Sequence, residues 1–272
     1  MPTSNPTGRS GDLEGTVVLV CGAGSSGEAV SNGEAAARTY ARAGAAVACL
    51  DRDSDEAERV AAEIAAEGGT ALALTADVCL EDDVARAVRR VAEVWAPPAG
   101  LHNNVGAPVV GDVRELDRER WDQALAVNLT SCYLTVRHVL PAMLDAGRGA
   151  IVNVSSTASI RATGYTYPAY SAAKAGVNQL TVSLALTYAD RGIRVNAVLP
   201  GLIDTPLVGR SVVEDATALD EQRAARAAAS PTGRMGSPWD VAEAALFLMS
   251  DRAAYVNGVL LPVDGGLSAR ST

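Results

Sequence analysis

Tyr170 and Lys174 stand four residues apart in YSAAK, within a run of helix formers, YSAAKAGVNQLTVSLALTYADRG. On a helix that spacing puts both side chains on one face. A free phenol ionises near pH 10 and is a slow base at neutrality. An ammonium beside it favours the phenolate, so the pair can take or give a proton near neutral pH. The bland alternative is an exposed aromatic–lysine pair. Against it, the apolar run AIVNVSS ends in two hydroxyls, Ser155 and Ser156, 15 and 14 residues upstream of Tyr170. A serine at the carboxyl edge of a parallel sheet lies where ligands of open α/β sheets bind, and could hydrogen-bond a reacting oxygen.

A second chemical signal is glycine-rich, in VCGAGSSGEAVSNGEAAARTYARAG (Val20–Gly44). A literal G-x-G-x-x-G falls at Gly22, Gly24 and Gly27, but a phosphate cradle also needs a helix that opens onto it. Ending the loop at Gly27 would put Ser31, Asn32 and Gly33 inside that helix, where glycine alone costs about 1 kcal/mol relative to alanine. Ending it at Gly33 leaves EAAARTYARA, which contains no breaker. The later register is expected, with Gly22, Ser25, Ser31, Asn32 and Gly33 around a pyrophosphate. The next strand ends in Asp51, whose carboxylate can accept the ribose hydroxyls of NAD and repels the 2′-phosphate of NADP. Arg52, adjacent, could bind that phosphate instead. NAD is the expected cofactor, with NADP the alternative.

The elements that must position these groups alternate regularly. Strands are expected at TVVLVCG, AAVACLDRD, TALALTADV, GLHNN, GAIVNVSS, IRVNAVLPG and GVLLPVDGG. Helices are expected between them, including one long helix in DRERWDQALAVNLTSCYLTVRHVLPAML and a serine-capped one at SPWDVAEAALFLMS. Near-continuous apolar strands alternating with helices imply an α/β fold, a single doubly wound Rossmann-type domain whose mainly parallel seven-stranded sheet carries helices on both faces. The domain is expected over residues 13–268, between tails at 1–12 and 269–272, with residues 203–232 as a helical flap over the site. Net charge is −9, with acids spread through helices, which argues against nucleic acid and anionic membranes as partners. No apolar run reaches the ~18 residues needed to span a bilayer. His102 and His138 lie too far apart for metal-ligand spacing, so no metal is expected. Cys21, Cys49, Cys79 and Cys132 are widely spaced within apolar runs and read as reduced, buried thiols of a cytoplasmic protein.

From Leu13 to about Leu267 the chain resembles the short-chain dehydrogenase/reductase family. The loop is similar to the family's TGAGSSG…NG variant, with Cys21 for threonine and Ser31 for the middle glycine. ADV (Ala76–Val78) resembles its adenine-contacting segment, NNVG (Asn103–Gly106) stands for NNAG, and PGLIDT (Pro200–Thr205) matches its PG loop. Asn128, Ser156, Tyr170 and Lys174 match its catalytic tetrad. The resemblance implies that Tyr170 is the general acid/base, and that Lys174 lowers its pKa and binds the nicotinamide ribose. It implies that Ser156 holds the reacting oxygen and that Asn128 holds a water linking Lys174 to solvent; the bland reading of Asn128 is an amide satisfying backbone groups. Asp77 and Val78 would bracket the adenine, Asn104, Val105 and Gly106 would pass its ribose, and Val127, Pro200, Gly201, Ile203 and Thr205 would complete the cofactor site. Two departures stand out. Serine at 31 resists the positive φ that glycine permits, and the Ser156–Tyr170 spacing is one residue longer than usual, which keeps Ser155 in view.

The resemblance implies hydride transfer between NAD and a secondary alcohol or ketone. The alternatives are an NADPH-dependent ketoreductase similar to the 3-oxoacyl reductases, or a non-catalytic dinucleotide sensor on the same fold. Pro108, Ala158, Tyr165, Tyr167, Leu202 and Leu207 would shape a substrate pocket, with Arg161 and Arg210 as possible anion contacts. Its small, apolar character leans toward a hydrophobic or cyclic alcohol. A homotetramer built on the helices around Asp117–Leu144 and Tyr170–Arg191 is implied.

Overall fold

Val17–Cys21 (β1) is buried along its whole length, and its side chains alternate between two cores. Val18 and Val20 join one apolar cluster, while Val17, Leu19 and Cys21 join another. A strand covered on both faces must be apolar at every position, which is why its sequence shows no in–out alternation. The computed structural model describes residues 11–25, 29–162, 164–206 and 216–270.

The further strands are Ala46–Asp51 (β2), Thr70–Thr75 (β3), Gly100–Asn103 (β4), Gly149–Val154 (β5), Ile193–Pro200 (β6) and Leu260–Val263 (β7). They form one seven-stranded sheet in the order β3-β2-β1-β4-β5-β6-β7, parallel throughout. The chain moves outward from β1 to β3, then returns to place β4 on the other side of β1. Between β1 and β4 the winding reverses, and a crevice opens beyond their carboxyl ends.

Helices cover both faces. Asn32–Arg42 (α1) and Ser54–Ala66 (α2) pack on one side, joined after the remaining helices by Pro238–Met249 (α8). Glu81–Val94 (α3), Ser131–Ala146 (α5) and Pro168–Tyr188 (α6) contribute to the other core. Ser237 caps α8 through a reciprocal capping box with Asp240, and Pro238 opens its first turn.

Two expectations change. The long helix expected from Asp117 is Arg118–Leu125 (α4), a π-helical turn at Ala126–Thr130, and then α5. The Asn128 amide donates to the Ala124 carbonyl at 2.9 Å, taking the acceptor that a regular α-turn would use, and the Ser131 N–H reaches back five residues to Ala126. Cys79 is only partly buried, unlike Cys21, Cys49 and Cys132; all four are free thiols. The flap holds one described helix, Ala216–Ala229 (α7), and Ile203 bridges to Gly236 at its base. Leu207 and Arg210 lie outside the described residues.

Candidate active site

The loop after β1 leads into α1 through a serine cap. Ser31, extended at φ −85°, caps α1: its hydroxyl accepts from Glu34 N at 3.0 Å and donates to the Gly24 carbonyl at 2.8 Å. The helix therefore opens at Asn32, two residues earlier than the expected EAAARTYARA: Asn32 and Gly33 stand in its first turn rather than ending the loop, and Gly27 lies outside the described residues. No positive φ is asked of Ser31, so serine there carries no strain. Gly33 is needed for a different reason. A Cβ on it would lie 1.8 Å from the Gly22 carbonyl oxygen and 2.7 Å from Asn104 Nδ2. It does not line the crevice; it lets the helix N-terminus close onto the strand. The Asn104 amide braces the same carbonyl at 3.0 Å.

Asp51 and a residue that sequence reasoning missed, Glu56, hold the loop from the other side. Asp51 accepts from Gly24 N at 2.9 Å, and Glu56 accepts from Ser25 N at 2.8 Å. A hydrogen bond from Arg59 holds the Glu56 carboxyl below the usual carboxylate range, with the Ser25 N–H adding to it against partial burial. The signal for Glu56 was its place in the first turn of α2, which leads straight back from the end of β2. Asp77 accepts from Cys79 N at 2.8 Å and fixes the turn that carries Val78.

At the other end of the crevice α6 delivers Tyr170 and Lys174. A chain of buried polar groups fixes α6 to the sheet: Thr135 to Asn103 (2.7 Å), Asn103 to Asn153 (2.9 Å), and Asn153 to Thr181 on α6 (2.9 Å). Lys174 is 2% exposed, and its Nζ donates to the Val154 carbonyl at 2.8 Å. The ammonium lies 5.8 Å from the centroid of the Tyr170 ring. Ser155 is buried and donates to the Lys174 carbonyl at 3.0 Å. Ser156, which lines the crevice as Ser155 does, accepts from Ala158 N at 3.1 Å and hydrogen-bonds the Tyr170 side chain. Ala158 is buried and supports that serine rather than lining the crevice. The Asn128 amide is spent on backbone: it donates to Ala107 O and Ala124 O at 2.9 Å and accepts from Ala107 N at 3.0 Å. It still sits beside the lysine, since a Cβ on Gly106 would lie 2.9 Å from both Asn128 Oδ1 and Lys174 Nζ.

The electrostatics correct one expectation. Burial pushes the Tyr170 phenol up to about 12; the Ser156 hydrogen bond opposes the rise, and Tyr167 adds to it. Burial moves Lys174 the other way, below its ordinary value. The ammonium, turned to the Val154 carbonyl, does not overcome the cost of burying a phenolate. His102, the strand histidine, is held neutral by burial, its pKa down at about 3, with Nδ1 against the Tyr40 hydroxyl at 2.8 Å.

One cavity of about 1020 Å³ joins both ends. It is lined by Gly22, Ser25, Ser31, Asn32, Asp51, Arg52, Asp77, Val78, Asn104, Val105, Gly106, Val127, Pro200, Gly201, Ile203 and Thr205 of the expected cofactor set. Asn128, Ser156, Tyr170 and Lys174 line it too, as do Pro108, Tyr165, Tyr167 and Leu202. Gln222 and Arg226 of α7 also reach it, and sequence reasoning missed both; Arg161 is exposed and donates to Ser268 O instead. Among the described residues no group of His, Cys, Asp and Glu could hold a metal, and no helix is long and apolar enough to cross a membrane.

A parallel doubly wound sheet with a glycine-lined crevice at its switch point and a hydroxyl–phenol–ammonium set at its far end defines a dinucleotide-binding oxidoreductase. The family model described as enoyl-(acyl carrier protein) reductase matches residues 27–268. The 2-(S)-hydroxypropyl-CoM dehydrogenase 3 of Xanthobacter autotrophicus is 38% identical over 260 residues, 96% of this chain and 99% of that protein. The cis-4-hydroxycyclohexanecarboxylate dehydrogenase of Sinomonas cyclohexanicum is 44% identical over 245 residues, 89% of this chain and 94% of that one. A solved structure from Burkholderia xenovorans, assigned to the short-chain dehydrogenases/reductases, superposes with a TM-score of 0.89 at 41% identity, over 97% of this chain and all of that one. The chain belongs to the short-chain dehydrogenase/reductase family.

Proposed function

We propose that the protein is an NAD-dependent dehydrogenase that oxidises a secondary alcohol on a hydrophobic or cyclic frame to the ketone. The observation that carries this reading is the convergence of Ser156, Tyr170 and Lys174 on the same cavity that the glycine loop opens into. The residues fit a dinucleotide. The cradle closes on the N-terminus of α1, where partial positive charge favours a pyrophosphate. The first residue of that helix, Asn32, lines the cavity with a buried amide oxygen that has no hydrogen-bond partner among the described residues. Asp51 and Glu56 put two carboxylates at the ribose end, which supports NAD over NADP; Arg52, exposed at the same edge, is the basis of the rival NADP reading.

A bound nicotinamide supplies the hydride acceptor. The chain's own residues manage the proton and the oxygen: Ser156 Oγ hydrogen-bonds the substrate oxygen, and Tyr170 Oη, in its phenolate form, takes the hydroxyl proton as the C–H hydride leaves. Lys174 would hold the nicotinamide ribose at the α6 end of the cavity, and Asn128 pins Ala107 across it. Two relatives named above act on alcohols, one of them on a cyclohexane ring, which supports the cyclic-alcohol reading.

The test is Tyr170→Phe, assayed by NAD reduction across aliphatic, alicyclic and aromatic alcohols and by NADH binding. Turnover should fall by about 10²-fold or more while NADH still binds. Near-normal turnover in the variant, or none in the wild type on any alcohol, would refute the reading.

We further propose a homotetramer in the cytoplasm. Tyr133 on α5 and Leu186 on α6 are large apolar side chains left 47% and 76% exposed, on the two helices expected to meet other copies. A light-scattering mass of one chain would contradict the assembly. Four free thiols with no pairing fit a reducing compartment.

A further inference from the structure

Beside α7 the cavity carries a cation that has no ion-pair partner among the described residues. Gln222 and Arg226 sit one helical turn apart on α7, and both line the cavity. Arg226 Nη1 donates to the Tyr165 hydroxyl at 3.1 Å. Its Nε and the Gln222 Oε1 are buried without a hydrogen-bond partner among the described residues, and no described carboxylate is within ion-pair distance of Arg226. Its neighbour Arg223 is different, paired with Asp204 at 3.1 Å, and so ties α7 to the segment after β6. Arg223 anchors the helix, whereas Arg226 has the Tyr165 hydroxyl and no described carboxylate.

The cavity's other charges are arranged to match. Its acids, Asp51, Asp53, Glu56 and Asp77, all lie at the end of β2, the start of α2 and the turn after β3, at the ribose end. Its other cations are Arg52, beside those acids, and Lys174, held by the Val154 carbonyl. Arg226 is thus the available cation on the substrate side among the described residues. It is also tied to the reacting phenol by a ladder of rings: Tyr165 stacks on Tyr167 at 5.8 Å between centroids, and Tyr167 meets Tyr170 edge-on at 5.3 Å. A partly buried guanidinium with a free N–H is costly until an oxyanion accepts it, and a fork of donors fits a carboxylate best.

We propose that Arg226, with the Tyr165 hydroxyl and the Gln222 amide beside it, forms an anion subsite of the same cavity that takes alcohols carrying a carboxylate. Gln222 can turn its NH₂ to the same anion by rotating its terminal torsion. The proposal rests on this cavity being the alcohol site described above, and it adds charge to the expected hydrophobic frame.

The experiment uses 4-hydroxycyclohexanecarboxylate and its methyl ester, which share ring and carbinol and differ in charge. Binding of each to the NADH-loaded protein is measured by titration calorimetry at pH 8, alongside kcat/KM for NAD reduction. The acid should bind about 10- to 100-fold more tightly than the ester. In Arg226→Gln that ratio should collapse toward one, and in Arg226→Lys it should survive in part, since a point charge lacks the fork. Equal affinity of acid and ester in the wild type would overturn the subsite, and so would a ratio that persists in Arg226→Gln. The alcohol reading fails separately: if the acid is bound preferentially but neither compound is oxidised, the subsite stands and the proposed activity falls. If both are oxidised with equal kcat/KM and equal affinity, the activity stands and the subsite falls.

Discussion

Gly33→Ala tests the register of the phosphate cradle, because the structure leaves no room for one methyl group. The new Cβ would lie 1.8 Å from the Gly22 carbonyl oxygen, where contacts under 3.0 Å force something to move. The neighbour is backbone and cannot rotate away, and the Asn104 amide holds it at 3.0 Å. Relief therefore requires the start of α1 to retreat from β1 by roughly 1 Å or more. Overpacking of this kind costs about 1–3 kcal/mol of stability. The functional loss should be larger than that implies, since a displacement of ~1 Å in a positioning element can cost about 10²-fold. The expected result is a fall of about 10- to 100-fold in NADH affinity by fluorescence titration, with a cooperative urea transition at lower midpoint. A variant that binds NADH like the wild type would show that the helix N-terminus does not face the cofactor. The loop would then have to close elsewhere.

Removing the Asp51 carboxylate with Asp51→Asn should narrow the preference for NAD over NADP by about 10-fold or more, because a charged acceptor for two ribose hydroxyls is lost with a charge that repels phosphate. Glu56→Gln in the same background should narrow it further; kcat/KM with both cofactors decides, and an unchanged ratio refutes the role of these carboxylates. Because burial holds Tyr170 protonated, alcohol oxidation should gain with rising pH and ketone reduction should lose, as one needs the phenolate and the other the phenol. Profiles of kcat/KM with the same sign of slope would contradict that assignment. His102 should make the protein acid-sensitive: its folded pKa is about 3 against ~6.5 unfolded. Between those values the unfolded chain binds the extra proton, so stability falls as pH falls, by about 1.4 kcal/mol from pH 7.5 to 5.5. Urea melts of His102→Gln should lack that part of the slope, and an identical slope would remove His102 as its source.

The strands were legible because a sheet covered on both faces favours apolar residues at consecutive positions, and β1 meets that demand without exception while β5 departs from it at Asn153, which is hydrogen-bonded to Asn103 and Thr181. The pair Tyr170 and Lys174 was legible for a local reason, helical spacing on one segment. What was not legible comes from contacts between distant segments or from competition within one. The π-turn at Ala126–Thr130 arises because the Asn128 side chain takes a backbone acceptor, and nothing in the composition of AVNLT distinguishes that from a regular turn. Arg226 meets Tyr165 across 61 residues, and Glu56 meets Ser25 across 31. An alanine- and arginine-rich helix gives no hint of which arginine finds a carboxylate. The expected anion contacts fell on Arg161 and Arg210; Arg161 is committed to a backbone carbonyl, and Arg210 lies outside the described residues.

The raised phenol and the lowered ammonium belong to one electrostatic design. Burial works on both groups in the direction of the neutral form, up for an acid and down for a base. Had Lys174 been aimed at the Tyr170 hydroxyl, its charge would have offset the burial of a phenolate. It is aimed at the Val154 carbonyl instead, at 5.8 Å from the ring centroid. Ionising the phenol therefore depends on what shares the cavity with it. A cation placed against the ring favours the phenolate, and a neutral group in the same place does not. The proton state of Tyr170 is in this way coupled to the charge of its neighbour: a positively charged occupant prepares a base for an alcohol, and a neutral one leaves an acid ready for a ketone.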